Sequence, residues 1–148
     1  MEKARILLVE DQLIPAYDLR RQLNAMGYEV VSVFTRAETA LTYLEENQGK
    51  ETFPDVVILD NSLAGKMDGI EASKIIIEKY NCEVIFLVGL MEVKVVEEIL
   101  RTRPAFFLLK PFDIYYTHIC IQMAIRQRNL ELEIDRLNKE LNKFNGQL

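Results

Sequence analysis

Four short, uninterrupted apolar runs divide this chain: Ile6-Leu7-Leu8-Val9, Val56-Val57-Ile58-Leu59, Val84-Ile85-Phe86-Leu87-Val88 and Phe106-Phe107-Leu108-Leu109. None of them alternates polar with apolar residues. A strand buried on both faces reads this way, and that is the habit of parallel sheets covered by helices on each side. A fifth run, Glu29-Val30-Val31-Ser32-Val33-Phe34, alternates more, as an edge strand does. Each run is far short of the ~20 apolar residues a membrane helix needs. The first is a short apolar stretch with Glu10 and Asp11 behind it, where a secretory leader would have a longer apolar region and a small-residue cleavage site. The expectation is a cytoplasmic chain with no membrane association.

Helical patterns fill the gaps. Pro15 suits the start of the first helix, Ala16, Leu19, Leu23 and Met26 follow at spacings of three and four, and Gly27 suits its end. Ala37, Ala40, Leu41 and Leu44 give a second apolar face, and Ile70, Ala72, Ile75, Ile76 and Ile77 a third. Val93, Val95, Val96, Ile99 and Leu100 give a fourth, stopping before Pro104. A long fifth helix begins near Asp113. Strand and helix thus alternate five times. Short connections then predict a doubly wound α/β fold in three layers, its parallel strands ordered 2-1-3-4-5, with an extended C-terminal helix.

Sheets of this kind bind ligands beyond the carboxyl ends of their strands, near the point where strand order reverses. Glu10 and Asp11 follow the first strand, Asp60 the third, Val88-Gly89-Leu90 end the fourth, and Lys110-Pro111 follow the fifth. Three carboxylates and one ammonium therefore converge. Carboxylates held together call for a cation, and a hard divalent ion such as Mg²⁺ suits a shallow site of carboxylate, carbonyl and water oxygens. A carboxylate beside such an ion can attack phosphorus, with the metal and a lysine neutralising the transferred group. Asp60 closes the central strand and is the natural nucleophile; Lys110 is the natural cation. The net charge of −5 offers no basic face for nucleic acid. Cys82 and Cys120, far apart and with one histidine in the chain, read as buried free thiols rather than zinc ligands.

These segments together resemble the receiver domain of two-component response regulators, which has the flavodoxin-like, CheY-like fold. They are Ile6-Leu7-Leu8-Val9-Glu10-Asp11, Val57-Ile58-Leu59-Asp60, Leu63-Ala64-Gly65, Met67-Asp68-Gly69-Ile70-Glu71-Ala72 and Lys110-Pro111-Phe112. The resemblance covers about residues 4 to 125. It implies that Asp60 is the phosphoacceptor and that Mg²⁺ is held by Asp11, by Glu10 (often through water), by Asp60 and by the backbone carbonyl of Ser62. Lys110 and the Gly89 N–H would bind the phosphoryl group, and the bond before Pro111 would be cis. The implied partner is a sensor histidine kinase or a phosphotransfer protein. The implied chemistry goes no further than self-phosphorylation and autodephosphorylation, so the chain is not read as an enzyme.

One position departs from the pattern. Val88 stands where the family uses Thr or Ser, and the accompanying aromatic switch position is Phe107. The phosphoryl group loses a hydrogen bond, a deficit of about 1–3 kcal/mol. Two readings follow: a phosphorylation-dependent switch working through the fourth helix, fifth strand and fifth helix, or a weakly switching docking and dimerisation module. Leu90 is bulky enough to screen water from the acyl phosphate, which predicts a long-lived modification.

Beyond the receiver (residues 1–125), residues 126–148 read as a helical extension. Leu130, Ile134, Leu137, Leu141, Phe144 and Leu148 step by four and three, a heptad seam with Ile134 and Leu141 at a and Leu130, Leu137 and Phe144 at d. Arg126 at g and Glu131 at e can pair between chains. A homodimer is expected through this helix or through the face of the fourth helix, fifth strand and fifth helix. No helix-turn-helix pattern follows residue 125. A haloacid-dehalogenase type phosphatase would want a second aspartate where Ser62 stands. A flavodoxin-type cofactor binder would want a Gly- or Ser-rich loop where Glu10-Asp11-Gln12 stands. His118 has no catalytic partner at a known spacing and reads as structural or surface.

Overall fold

The computed structural model describes residues 3–63, 65–89, 93–101, 106–111 and 113–146, without the side chains of Val93 and Val95. The expected positions Ala64, Leu90, Pro104, Phe112 and Leu148 lie outside the described residues. Five strands alternate with helices: β1 (Arg5–Val9), α1 (Leu13–Ala25), β2 (Glu29–Phe34), α2 (Ala37–Asn47), β3 (Val56–Asp60), α3 (Gly69–Ile75), β4 (Glu83–Gly89), α4 (Val93–Arg101), β5 (Phe106–Lys110) and α5 (Ile114–Gly146). The sheet is parallel and ordered β2-β1-β3-β4-β5, as the alternation predicts.

Continuous apolar strands work because each face of the sheet has its own core. Ile6 and Leu8 of β1, Val56 and Ile58 of β3, and Ile85 and Leu87 of β4 pack with Leu19 and Leu23 of α1 and with Ile121 and Ala124 of α5. The intervening residues Leu7, Val9, Val57, Leu59, Phe86 and Val88 pack on the other face with Ala40 and Leu44 of α2, Ala72 of α3 and Ile99 of α4. The two-residue period of a strand divides one apolar run between two cores.

The edge strand β2 breaks that period. Its pairing with β1 shifts between Ile6 and Leu7, from Val30 to Ser32. One extra residue in β2 puts Val30 and Val33 on the same face, with Val31 and Phe34 on the other. In α4, Ile99 is buried but Leu100 is 64% exposed, so Leu100 does not belong to the inward face expected from its spacing. Helix α3 runs into a wider π turn (Ile76–Tyr80) and stops at Asn81, whose left-handed φ of 52° ends the helix.

Helix α5 is held by its first half. Asp113 Oδ1 accepts the N–H groups of Tyr115 and Tyr116, capping the start. Thr117, Ile121, Ala124 and Ile125 face the domain and are buried. Arg128 lies 3.6 Å from Asp55, which also takes the Arg5 backbone N–H and guanidinium. Asp55 precedes β3, so this last tether sits at the end of the sheet opposite Asp60. Beyond Glu131 every described residue of α5 is exposed. No helix among the described residues is long and apolar enough to cross a membrane.

Cys82 is fully buried, with its Sγ 3.5 Å from the Pro54 carbonyl, and burial pushes its thiol up to about 12. Cys120 is only half-buried, against the expectation of two buried thiols, because it lies on the flank of α5 rather than on its domain-facing side. His118 is tied into the structure: its Nδ1 lies 2.7 Å from the buried Tyr28 hydroxyl, which also accepts from Gln122 Nε2 at 2.7 Å.

Candidate phosphoryl and cation site at the strand ends

The sheet brings the loaded strand ends to one place. Ligand oxygens of Glu10, Asp11 and Asp60 all lie within 4.8 Å of one another. Glu10 and Asp60 are buried, at 5% and 3% exposure. Lys110 reaches in from β5, with Nζ 2.6 Å from Asp60 Oδ2 and 3.4 Å from Glu10 Oε2. The peptide between Lys110 and Pro111 is cis, as expected. Asp60 Oδ1 accepts the Ser62 N–H at 2.9 Å, and Glu10 Oε1 accepts the Gln12 N–H at 3.2 Å. Both carboxylates are thus fixed by backbone groups of the loops they open.

The electrostatics follow from crowding. Burial, reinforced by the neighbouring Asp60, pushes the Glu10 carboxyl up to about 8 despite the pull of Lys110 and the Gln12 N–H. For Lys110, burial opposes the charge, but Asp60 and Glu10 outweigh it and hold the ammonium above its ordinary value. The three carboxyl groups outnumber the single ammonium and make the site acidic. The donor set is all oxygen, which fits a hard divalent ion such as Mg²⁺.

Val88 and Gly89 end β4 beside this cluster, and Gly89 is the register partner of Lys110. Val88 is completely buried among the side chains on the α2–α3–α4 face of the sheet, and Phe107 packs half-buried against the same cluster. The two switch positions are therefore in one apolar layer, with no hydroxyl in either side chain.

Two contacts from neighbouring elements support the site. Gly69 opens α3, and a Cβ there would stand 2.3 Å from the Asp60 carbonyl oxygen and 2.8 Å from Asn61 Cα. The helix start presses onto the backbone that carries Asp60, with Asp68 capping it by accepting the Glu71 N–H at 2.9 Å. Glu38, in the first turn of α2, accepts the N–H groups of Lys66 and Met67, each at 3.0 Å. Its own backbone N–H and that of Met67 hold its carboxyl below the usual range. Glu38 so clasps the loop that follows Asp60. Its sequence position, 28 residues from Lys66, gives no local signal of this contact.

Residues 6–119 match the response regulator receiver domain family. The transcriptional regulatory protein PdtaR of Mycobacterium tuberculosis is 28% identical over 141 residues, which cover 93% of this chain and 66% of PdtaR. The regulatory protein AtoC of Escherichia coli is 29% identical over 93% of this chain and 28% of its own length. The chain thus spans about two thirds of one relative and under a third of the other. The signal receiver domain of a modulated diguanylate cyclase from Desulfovibrio desulfuricans superposes with a TM-score of 0.79 at 31% identity, covering 88% of this chain and 99% of that one. With the five-stranded fold, the carboxylate cluster at its strand ends and these similarities in hand, the chain belongs to the response regulator receiver domain family of two-component signalling.

Proposed function

We propose that Asp60 accepts a phosphoryl group from a histidine of a sensor kinase or phosphotransfer protein. The observation that carries this reading is the buried Asp60 carboxylate gripped by Lys110 at 2.6 Å inside a three-carboxylate cluster. A carboxylate oxygen of Asp60 forms the new P–O bond while the donor's P–N bond breaks and the leaving imidazole takes a proton. Mg²⁺, held by Asp11, Asp60 and the Ser62 carbonyl with Glu10 nearby, would neutralise phosphoryl oxygens. Lys110 exchanges its contact with Asp60 Oδ2 for one with a phosphoryl oxygen, and the Gly89 N–H donates to another. Leu13, Ile14 and Tyr17 of α1 are exposed beside the site and offer the donor an apolar surface.

In this reading residues 1–125 form the receiver and 126–148 an output helix, the protein acts in the cytoplasm, and its catalysis is limited to its own acyl phosphate. Two copies pair through α4-β5-α5 or through the C-terminal helix. Incubation with Mg²⁺ and acetyl phosphate tests the chemistry: intact mass rises by one phosphoryl group, and a chelator prevents it. An unchanged mass with Mg²⁺ present defeats the proposal.

The Glu10 environment adds a pH test. An acid raised to about 8 in the fold keeps a proton that the unfolded chain gives up near 4.5, so apo stability is full at low pH and is lost as pH rises toward 8. Mg²⁺ would replace that proton. The rise in Tm on adding Mg²⁺ is therefore expected to be larger at about pH 8 than at about pH 5. An increment independent of pH would show that Glu10 does not take part.

The buried Val88 favours a second reading, a receiver whose modification switches weakly and which mainly docks or dimerises. Val88→Thr tests it. A hydroxyl buried in this apolar layer is expected to cost the unmodified protein about 1–3 kcal/mol in urea unfolding. Phosphorylation should recover part of that cost by giving the hydroxyl an oxygen partner. If phosphorylation affects Val88→Thr and the parent equally, the end of β4 does not sense the phosphoryl group.

A further inference from the structure

The heptad seam of the extension does not begin in the extension. Carried back along α5 in the same phase, the d positions are Tyr116, Met123, Leu130, Leu137 and Phe144, exposed by 64, 48, 56, 49 and 59%. The a positions Cys120, Gln127, Ile134 and Leu141 lie beside them, with Cys120 half-buried and the other three exposed. The residues that face the domain (Thr117, Ile121, Ala124, Ile125 and Arg128) fall at b, e and f, roughly 120° around the helix from the seam. One helix thus packs on its own domain with one face and presents a second apolar stripe outward, about 42 Å long at 1.5 Å per residue.

We propose that this whole stripe, from Tyr116 to Phe144, pairs with the same stripe of a second copy as a parallel, in-register coiled coil. The proposal rests on the dimeric reading given above and extends its interface from the extension into the receiver. The charges at e and g are compatible with this pairing. In a parallel pair, g of one chain meets the following e of the other: Arg126 meets Glu131 of the second copy, Glu133 meets Asn138, and Glu140 meets Asn145. One contact is attractive and none is repulsive. An antiparallel pair that stacks Ile134 on Leu137 brings Glu133 against Glu140 of the second copy, twice, whereas one that stacks Ile134 on Leu130 brings Arg126 against Glu140. Ile134 at a with Leu130 and Leu137 at d favours the parallel two-stranded form. It also answers the shortness of the extension: packing of Ile121 and Ala124 already holds the first two heptads helical, so no costly nucleus has to form.

Sedimentation equilibrium of the full chain and its variants tests this. The parent is expected to be a dimer. Leu137→Lys, at an exposed position outside the domain core, should weaken it by about 100-fold or more in Kd, and Met123→Lys by about 10-fold, with the receiver still folded by near-ultraviolet circular dichroism. Orientation is read with Leu130→Cys in a Cys120→Ser background. Diamide takes two electrons and two protons from the two thiols, and a disulfide-linked dimer of the parallel register results. The Cys120→Ser parent, with only the buried Cys82, should stay uncross-linked. A dimer sensitive to Leu137→Lys but not to Met123→Lys overturns the extended stripe and leaves the dimer through the extension standing. A dimer that Leu130→Cys does not cross-link overturns the parallel register. A dimer insensitive to both lysines overturns the stripe and places the contact on another face. A monomeric parent overturns both this proposal and the dimeric reading.

Discussion

An Asp60→Asn chain incubated with Mg²⁺ and acetyl phosphate is expected to keep its unmodified mass while the parent chain gains one phosphoryl group. The loss should be complete rather than partial. Glu10 and Asp11 supply carboxylates within the same cluster, yet only Asp60 has Lys110 in close contact, at 2.6 Å against 3.4 Å for Glu10. The second oxygen of Asp60 is also held by a loop N–H more closely than that of Glu10, at 2.9 Å against 3.2 Å. A nucleophile needs both the oriented oxygen and the cation that follows the negative charge onto phosphorus. Lys110→Met should then keep the acceptor but slow its modification by about 10²–10³-fold, the usual cost of removing one charge-stabilising donor. Asn at position 60 relieves crowding among three carboxylates, so Tm is not expected to fall. That separates lost chemistry from lost structure. A phosphoryl group found on Asp60→Asn, mapped to Glu10 or Asp11, would overturn the assignment of the acceptor.

The parts of this molecule that were legible in the sequence are those where a local pattern has one physical solution. An uninterrupted run such as Val56-Val57-Ile58-Leu59 can be buried only between two layers, and the structure divides it between two cores. Carboxylates and a lysine placed after such runs had to meet where strand order reverses, and Glu10, Asp11, Asp60 and Lys110 do. Contacts between distant segments were not legible. Glu38 reaches the backbone of Lys66 and Met67 across the fold, and nothing near Glu38 announces it. The bulge that turns β2 over between Val30 and Val33 depends on pairing with β1, not on composition. Spacing alone set Leu100 beside Ile99 on the inner face of α4, although the roughly 100° between neighbouring helix positions leaves one buried and the other exposed. In α5 the heptad was visible only where it stood alone. Within the domain, buried Ile121 and Ile125 stand close in sequence to exposed Met123, and burial was needed to separate the two sides.

Gly69→Ala should be strongly destabilising. The new Cβ would stand 2.3 Å from a backbone oxygen and 2.8 Å from a backbone Cα, and neither can swing away as a side chain does. Either α3 retreats from the sheet or the Asp60–Asn61 backbone shifts. Retreat loosens Ala72 and Ile76, both fully buried against the α2–α3–α4 face of the sheet. Overpacking of this kind costs about 1–3 kcal/mol, and the backbone location puts the expected loss at the upper end or beyond, readable as a fall in the urea midpoint at constant slope. A backbone shift at Asp60 also moves the carboxylate relative to Lys110, so the surviving folded protein should be phosphorylated about 10²-fold more slowly. Gly49→Ala is the contrast. Its φ of +76° strains an alanine, but nothing lies within 4 Å of the added carbon, so about 1 kcal/mol and no change in phosphorylation rate are expected. If Gly69→Ala proves no worse than Gly49→Ala in either measurement, the helix start is not what holds Asp60 in place.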